Sequence, residues 1–304
     1  MKEFQLIEHV RSFNHTLGES VVVPPGDDLG AIRVDGGAIV LAGVDQVLGG
    51  VHLPPDAAPE RYARKVLRRS LSDVAAMAAI PTGALVTAAL PPGTAEDWGI
   101  RFADAINDEA GTHGCPIFGG DVAVHHSTSA SPHVTATVLA SPDPMTAGRV
   151  LCRTGAVVGD RIFVSGSFGG SLDPDGGGHH ETFQPRVEFA LALHRLLGES
   201  LHCMIDVSDG LLADAGHLAR ESQVRFVFDL ARIPRRGGVS GTRALTDGED
   251  YELCFTVGPD AQLPMELAGV CVTEIGTVDA GGGVQVLDKG NPVELRRPGW
   301  EHEA

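Results

Sequence analysis

Lysine is almost missing from this chain. Only Lys2, Lys65 and Lys289 occur, and 23 lysines and arginines stand against 40 aspartates and glutamates, for a formal charge of −17. A surface this acidic repels nucleic acid and anionic membranes, so neither is an expected partner. It also repels polyphosphates, unless divalent metal or a few well-placed arginines intervene. Long apolar runs are missing as well. The stretch from Gly37 to Val44 is typical of the longest, against the roughly 20 residues that a membrane helix requires. Met1-Lys2-Glu3-Phe4 carries an acidic residue and opens no apolar segment, which argues against a secretory signal. The five cysteines, Cys115, Cys152, Cys203, Cys254 and Cys271, are scattered and form no C-x-x-C pair. A disulfide framework or zinc knuckle is not expected, and a reducing cytoplasm is. The usual nucleotide signatures are also missing: there is no G-x-x-x-x-G-K-[ST], no G-x-G-x-x-G and no protein-kinase H-R-D or D-F-G set.

What remains is an ordinary globular composition, 43% hydrophobic over 304 residues. That length exceeds the usual single core, so two domains are expected, 1–143 and 144–304, divided near Ser141-Pro142-Asp143-Pro144. In the first, the pattern predicts a helix over 5–17, strands over 30–34 and 38–45, and a long helix over 57–79. A strand over 82–90, a helix capped by Thr94, and strands over 115–118 and 133–140 follow. In the second, strands are expected over 161–165, 203–207, 224–230, 251–257, 270–277 and 283–287. Helices are expected over 184–198, 209–222 and near 259–268. Strict βαβ alternation is missing, so the fold class is two α+β domains rather than one doubly wound sheet.

Aspartate carries the information. Gly26-Asp27-Asp28 precedes a strand, Asp45 ends one, and Asp73 lies in the apolar helix Leu71-Ser72-Asp73-Val74-Ala75-Ala76-Met77. Asp121 follows Phe118-Gly119-Gly120, and Asp206 and Asp209 share Ile205-Asp206-Val207-Ser208-Asp209-Gly210. Each alone reads as a cap or turn residue. Together, with so few lysines to pair them, they point to a shared site for Mg²⁺, which takes oxygen ligands alongside substrate phosphates. Gly119 and Gly120, and the Gly-rich stretch 166–178, would let backbone amides approach an anion. The helix beginning near Asp209 offers a positive dipole end. The histidine pairs His125-His126 and His179-His180 read as solvated loops.

In this order, GDD at 26–28, VDQVLGGVHL at 44–53, LSDVAAMAA at 71–79, FGGD at 118–121 and RTGAVVGD at 153–160 form a recognisable series. It continues with IDVSDGL at 205–211, DGEDYELCFTV at 247–257 and PGWEH at 298–302. The series resembles the thiamine-monophosphate kinase family, of the superfamily that includes aminoimidazole ribonucleotide synthetase, selenophosphate synthetase and a hydrogenase maturation factor. The resemblance implies the two-domain aminoimidazole ribonucleotide synthetase-like fold. It also implies a homodimer in which N-terminal strands pair across the subunits, and ATP in a groove between domains. By position, it implies Asp28, Asp45, Asp73, Asp121, Asp206 and Asp209 as Mg²⁺ ligands. Arg153 and Ser208, with Gly119 and Gly120, are implied as ATP contacts. His52, Glu249 and Trp300 are implied as contacts to thiamine monophosphate. Asp45, Asp121, Asp209 and Arg153 would carry the transfer of a phosphoryl group from ATP to thiamine monophosphate.

The chain departs from the family pattern at Gly43-Val44, where Ser/Thr-Thr is usual, at Ser70 for Asn, and at Val122 for Thr. A threonine hydroxyl at 44 is expected to lend an oxygen to a metal, so Val44→Thr should lower the Mg²⁺ requirement. Two alternatives are another ATP-dependent enzyme of the superfamily and a nucleotide-binding protein whose catalytic set has eroded.

Overall fold

The structure, a computed structural model, describes residues 3–127, 129–295 and 299. The first part of the chain runs α1 (Glu3–Arg11), β1 (Val21–Val23), β2 (Gly30–Arg33), β3 (Ile39–Leu48) and α2 (Pro59–Ala76). It continues with β4 (Ala79–Leu90), α3 (Glu96–Thr112), β5 (Ile117–Val124) and β6 (His133–Pro142). Its six strands form one sheet in the order β1-β2-β3-β6-β4-β5. β4 and β5 are parallel, with α3 as their crossover, while the other neighbours are antiparallel.

The second part runs β7 (Arg161–Ser165), α4 (His179–Thr182), α5 (Val187–Leu197), β8 (Leu201–Val207), α6 (Leu211–Glu221), β9 (Arg225–Asp229) and α7 (Gly241–Thr246). β10 (Glu252–Val257), β11 (Glu266–Leu267), β12 (Val270–Asp279), β13 (Gly283–Asp288) and β14 (Asn291–Pro292) follow. Its eight-stranded sheet follows the path β14-β13-β9-β12-β7-β10-β8, with β11 paired to β12. The class is α+β, as the sequence predicts.

The two sheets are covered differently. In β6 the residues Val134, Ala136, Val138 and Ala140 are buried while those between them are half-exposed. This is the alternation of a sheet packed on one face. In β10 all six residues are buried, because one face joins the core around α6 and α7 and the other the core that includes α5. α2 sits at the junction. It packs on β3 and β6 of the first sheet, and also on α5 and β8 of the second part. One helix therefore presents side chains to both halves.

Some expected elements differ. The helix expected near 259–268 does not form: residues 261–264 have no regular structure and Glu266–Leu267 is a short strand. Pro264 explains this, since it donates no amide and biases Leu263 away from helical angles. The first helix stops at Arg11, with a 3₁₀ turn over Asn14–Thr16. Thr94 does not cap α3; its hydroxyl donates to the Pro91 carbonyl at 2.8 Å and Ala95 precedes the helix. The strand expected to end at 118 continues to Val124, which carries Gly119, Gly120 and Asp121 into β5.

Candidate active site

Three carboxylates converge where α2 meets the second sheet. Asp28 comes from the loop between β1 and β2, Asp73 from α2 and Asp206 from β8. One oxygen of each lies within 4.8 Å of the others. Asp45 of β3 is close enough to act on both Asp73 and Asp206. Like charges in a buried place resist ionisation. Burial, reinforced by Asp45, Asp206 and Asp28, pushes the Asp73 carboxyl well above the ordinary range. Burial and Asp28 push Asp206 up to about 7, and the same two causes push Asp27 up to about 6.

Local neutralisation is incomplete. Arg153 donates to Asp28 at 2.5 Å, and its backbone amide donates to Asp27 at 3.0 Å. Ser72, one residue before Asp73, donates to Asp206 at 2.7 Å. Even so, Asp28 Oδ2 and Asp45 Oδ2 are buried without a hydrogen-bond partner. Buried carboxylate oxygens without a partner are costly unless a cation joins them. Hard oxygen donors in this number suit Mg²⁺ rather than a soft metal.

Beside the cluster is a cavity of about 420 Å³, lined among others by His52, Arg69, Ser208, Asp209, Glu249 and Tyr251. His52 is oriented through Nδ1, which accepts the Leu48 amide at 3.0 Å. Glu249 is held by Lys65, whose ammonium lies 2.9 Å from Oε1 and donates to Oε2 at 3.0 Å, and by His180 at 3.1 Å. Burial works against the Glu249 charge. The hydrogen bond from His180 and the Lys65 ammonium outweigh it and hold the carboxyl at about 2. Burial lowers Lys65 to about 8 in spite of Glu249. Tyr251 stacks on Phe183 with ring centres 3.9 Å apart. Glu249 and Tyr251 have φ of 62° and 51°, strained for residues with a Cβ and costing roughly 1 kcal/mol or more each. The surrounding contacts hold that strain, and both side chains line the cavity.

Several residues singled out in the sequence lie elsewhere. Asp121 is in the edge strand β5, three strand spacings from Asp45, or about 14 Å. It also faces the other way. Asp45 is in register with Ala136, Val86 and Gly120, so Gly120 rather than Asp121 shares its side of the sheet. Gly119 and Gly120 are strand residues rather than an anion loop. A Cβ at Gly120 would stand 1.9 Å from the Val86 carbonyl oxygen, so that glycine serves strand contact. Val44 is 63% exposed on the open face, away from Asp73, so a hydroxyl there would not reach the cluster of its own chain. Position 43 does face it. A Cβ at Gly43 would lie 3.7 Å from Asp73 Oδ2 but 2.3 Å from Leu29 Cδ2; Leu29 fills the space a larger residue would use. Trp300 lies outside the described residues, although its neighbour Gly299 lines the cavity.

Two expected anion cradles are already filled by carboxylates. In the Gly-rich stretch, the Gly169 amide donates to Asp250 at 2.9 Å and the Gly170 amide to Asp247 at 2.8 Å. At the start of α6, the amides of Asp209 and Gly210 donate to Asp214 Oδ2 at 2.9 and 3.1 Å. His180 is not a solvated loop residue: it is buried in α4, 2.5 Å from Lys65. His179 contacts the Asp250 carbonyl at 2.9 Å.

The sequence reading passed over a row on α2. Arg61, Lys65, Arg69 and Asp73 recur every four residues and so share a face. Arg61 pairs with Glu181 at 2.5 Å, Lys65 with Glu249, and Arg69 with Asp45 at 3.5 Å. The i, i+4 spacing was the available signal: three cations in one row of a helix otherwise rich in apolar residues.

Comparison with known proteins agrees along the chain. Residues 26–141 match the AIR synthase related protein N-terminal domain, and residues 157–289 the corresponding C-terminal domain. The thiamine-monophosphate kinase of Escherichia coli K12 is 32% identical, covering 92% of this chain and 91% of that protein. The one from Caulobacter vibrioides is 31% identical, covering 94% and 87%. A crystal structure of thiamine-monophosphate kinase from Stenotrophomonas maltophilia K279a is 29% identical, with a TM-score of 0.70 over 93% of this chain and 96% of that one. AaThiL complexed with AMPPCP and TMP shares the fold, with a TM-score of 0.80 over 99% and 97% of the two chains at 24% identity. On the strength of its full-length relatives and its two matching domains, the chain belongs to the thiamine-monophosphate kinase family.

Proposed function

We propose that this protein phosphorylates thiamine monophosphate with ATP to give thiamine diphosphate. The observation that carries the reading is the convergence of Asp28, Asp73 and Asp206 on one point, next to a cavity of about 420 Å³. We assign Asp28, Asp45, Asp73 and Asp206 as the residues that hold Mg²⁺, with Asp209 on the cavity wall completing the set. Bound Mg²⁺ supplies positive charge for the phosphates of ATP and of the acceptor. Arg153, fixed on Asp28, adds a permanent cation at the ATP side, and Ser208 offers polar contacts at the cavity mouth. Glu249, kept ionised by His180 and Lys65, accepts from the aminopyrimidine. Tyr251, backed by Phe183, gives the ring a flat apolar surface. His52 lines the same wall, and Trp300 is assigned to this pocket by its motif.

The chain's residues need no general base for the transfer. The acceptor is a phosphate monoester with a second pKa of about 6, mostly dianionic at neutral pH. One of its oxygens forms a bond to the γ-phosphorus as the bond from that phosphorus to the bridging oxygen of ADP breaks. The protein aligns the two polyanions and excludes water. The test is incubation with ATP, Mg²⁺ and thiamine monophosphate, with formation of thiamine diphosphate expected. Thiamine itself should not be phosphorylated. Its conversion to the monophosphate, or the absence of diphosphate from the first mixture, overturns the reading.

We also propose a homodimer. The open face of the first sheet carries Val44 and Leu85, and the edge strand β5 exposes Phe118, Val122 and Val124. An uncovered edge and face of this kind call for a partner sheet. In such a dimer Asp121 and Gly119, which share the open face, act in the partner's site, since Asp121 is too far from the carboxylates of its own chain; Gly120 faces the other side of its sheet and serves strand contact. The division into 1–143 and 144–304 follows the two sheets, and the two matched domains fall within it. The five free cysteines fit a cytoplasmic enzyme. Among the described residues no helix is long and apolar enough to cross a membrane.

A further inference from the structure

Of the cations in and around the cavity, Arg69 is held most loosely. Lys65 is fully buried within 3.0 Å of Glu249. Arg243, also on the wall, is paired with Asp247 at 2.8 Å. Arg69 reaches only to 3.5 Å from Asp45 and 3.9 Å from Glu249, and its Nε is buried with no partner. The facing Asp45 Oδ2 is orphaned too. Burial opposes the charge, but Tyr251, Asp45, Glu249 and Asp73 together keep Arg69 strongly cationic. The side chain is 18% exposed, and what is exposed opens on the cavity. A guanidinium that well buried, with an unused donor and two loose contacts, is arranged for an acceptor not yet present.

Its position says which acceptor. Along the α2 row, Lys65 serves Glu249, where the organic part of the substrate binds, and Asp73 belongs to the carboxylate cluster, where ATP and metal meet. Arg69 is one helical turn from each. A group that must lie between the ring pocket and the γ-phosphorus of ATP is the phosphate of the acceptor. We propose that Arg69 grips the non-bridging oxygens of the acceptor phosphate monoester, and that its contact with Asp45 is a resting position left when that phosphate arrives. The guanidinium fork suits two phosphate oxygens at once. Leaving Asp45 also frees that carboxylate for the cation held by the cluster, so acceptor and metal occupancy reinforce each other. Arg69 then selects the phosphorylated acceptor over the free alcohol. The inference rests on the proposed acceptor.

The experiment compares calorimetric binding of thiamine monophosphate and of thiamine, each without ATP, to the wild-type protein and to Arg69→Met, Arg69→Lys and Arg243→Met. The wild type is expected to prefer the monophosphate. Arg69→Met should lose about ten- to a hundredfold of that preference while thiamine binding and the KM for ATP stay unchanged. Arg69→Lys keeps the charge and loses the fork, so it should retain part of the preference, which separates recognition from misfolding. Three results overturn the inference and leave the substrate reading standing. One is a preference intact in Arg69→Met. Another is a preference lost only in Arg243→Met. The third is a variant whose Mg²⁺ requirement moves while its preference does not. A wild type that binds neither compound and forms no thiamine diphosphate overturns the substrate reading and the inference together.

Discussion

The two sheets solve the burial of apolar surface differently. In the second, β10 is buried along its whole length between β7 and β8, and its faces belong to two separate cores. The interior strands of the first, β3, β6 and β4, bury alternate residues, leaving a face with Leu85 37% and Val44 63% exposed. The second sheet is therefore covered on both faces, in part by Ala75, Ala76 and Ala78 of the first half, while the first sheet keeps one face open. The site draws on both halves. The second contributes Asp206, Glu249 and Tyr251, two of them held by α2: Ser72 donates to Asp206 and Lys65 to Glu249. The first contributes Asp28, Asp45 and Asp73, together with Asp121 on an edge that points away from all of them.

The strongest way to break this comparison is to truncate one residue on each sheet. Phe255→Ala, in β10 against Phe163 and Phe189, is expected to cost about 3–5 kcal/mol in denaturant unfolding. Leu85→Ala should cost less than about 1 kcal/mol to an isolated chain, yet weaken the dimer. Equal losses in both would mean that the first sheet is as closed as the second.

Next in size is a mixing experiment. Asp73→Asn and Asp121→Asn are each expected to lower turnover by about 10²–10³-fold, with unfolding midpoints no lower than that of the wild type. Removing the buried charge at Asp73 should even raise the midpoint. If Asp121 acts in the partner's site, unfolding and refolding the two variants together places one intact site in each mixed dimer. That should restore roughly a quarter of wild-type activity. Recovery no greater than the sum of the separate variants would put Asp121 outside the site, and a monomer mass by light scattering would remove the dimer itself.

A smaller effect concerns the joint between α2 and α3. Glu109, buried, accepts from Arg68 at 2.6 Å and contacts His113 at 2.9 Å. Burial would raise its carboxyl; His113 and Arg68 override that and hold it at about 2, below the ordinary 4.5. With the folded value depressed, the stabilisation is complete above pH 4.5 and is lost as pH falls towards 2. Glu109→Gln should therefore cost on the order of 2 kcal/mol at pH 7, after allowance for solvent screening, and flatten the acid limb of the stability curve. An unchanged acid limb would remove Glu109 as its source.

The least effect is expected from Val44→Thr, which should leave the Mg²⁺ requirement within about twofold, because the side chain leaves the carboxylates on the far side of the sheet. Gly43→Ser should do more harm, costing about 1–3 kcal/mol through its collision with Leu29. Leu29→Ala in the same chain should relieve it. A marked Mg²⁺ response to Val44→Thr would mean that the open face takes part in a metal site.

The class and most of the elements were legible in local sequence. Apolar period and turn residues are local properties, so the alternation in β6 and the long apolar stripe of α2 could be read directly. It also marked out Asp28, Asp73 and Asp206, since carboxylates in apolar stretches stand out wherever the chain later takes them. Local pattern misled where a single residue or a distant partner decided the outcome. Pro264 removed a helix, and Thr94 turned back to Pro91 instead of capping α3. Only the tertiary structure set strand register and cross-chain partners. Register put Asp121 on the face opposite Asp45, because side chains alternate and an offset of one residue reverses the face. Long-range pairing spent the amides of Gly169 and Gly170 on Asp250 and Asp247, and it buried His180 against Lys65. It also left Arg69 between Asp45 and Glu249 with a donor unused. Whether a polar group is satisfied depends on atoms far away in the chain, and packing alone brings those atoms within reach.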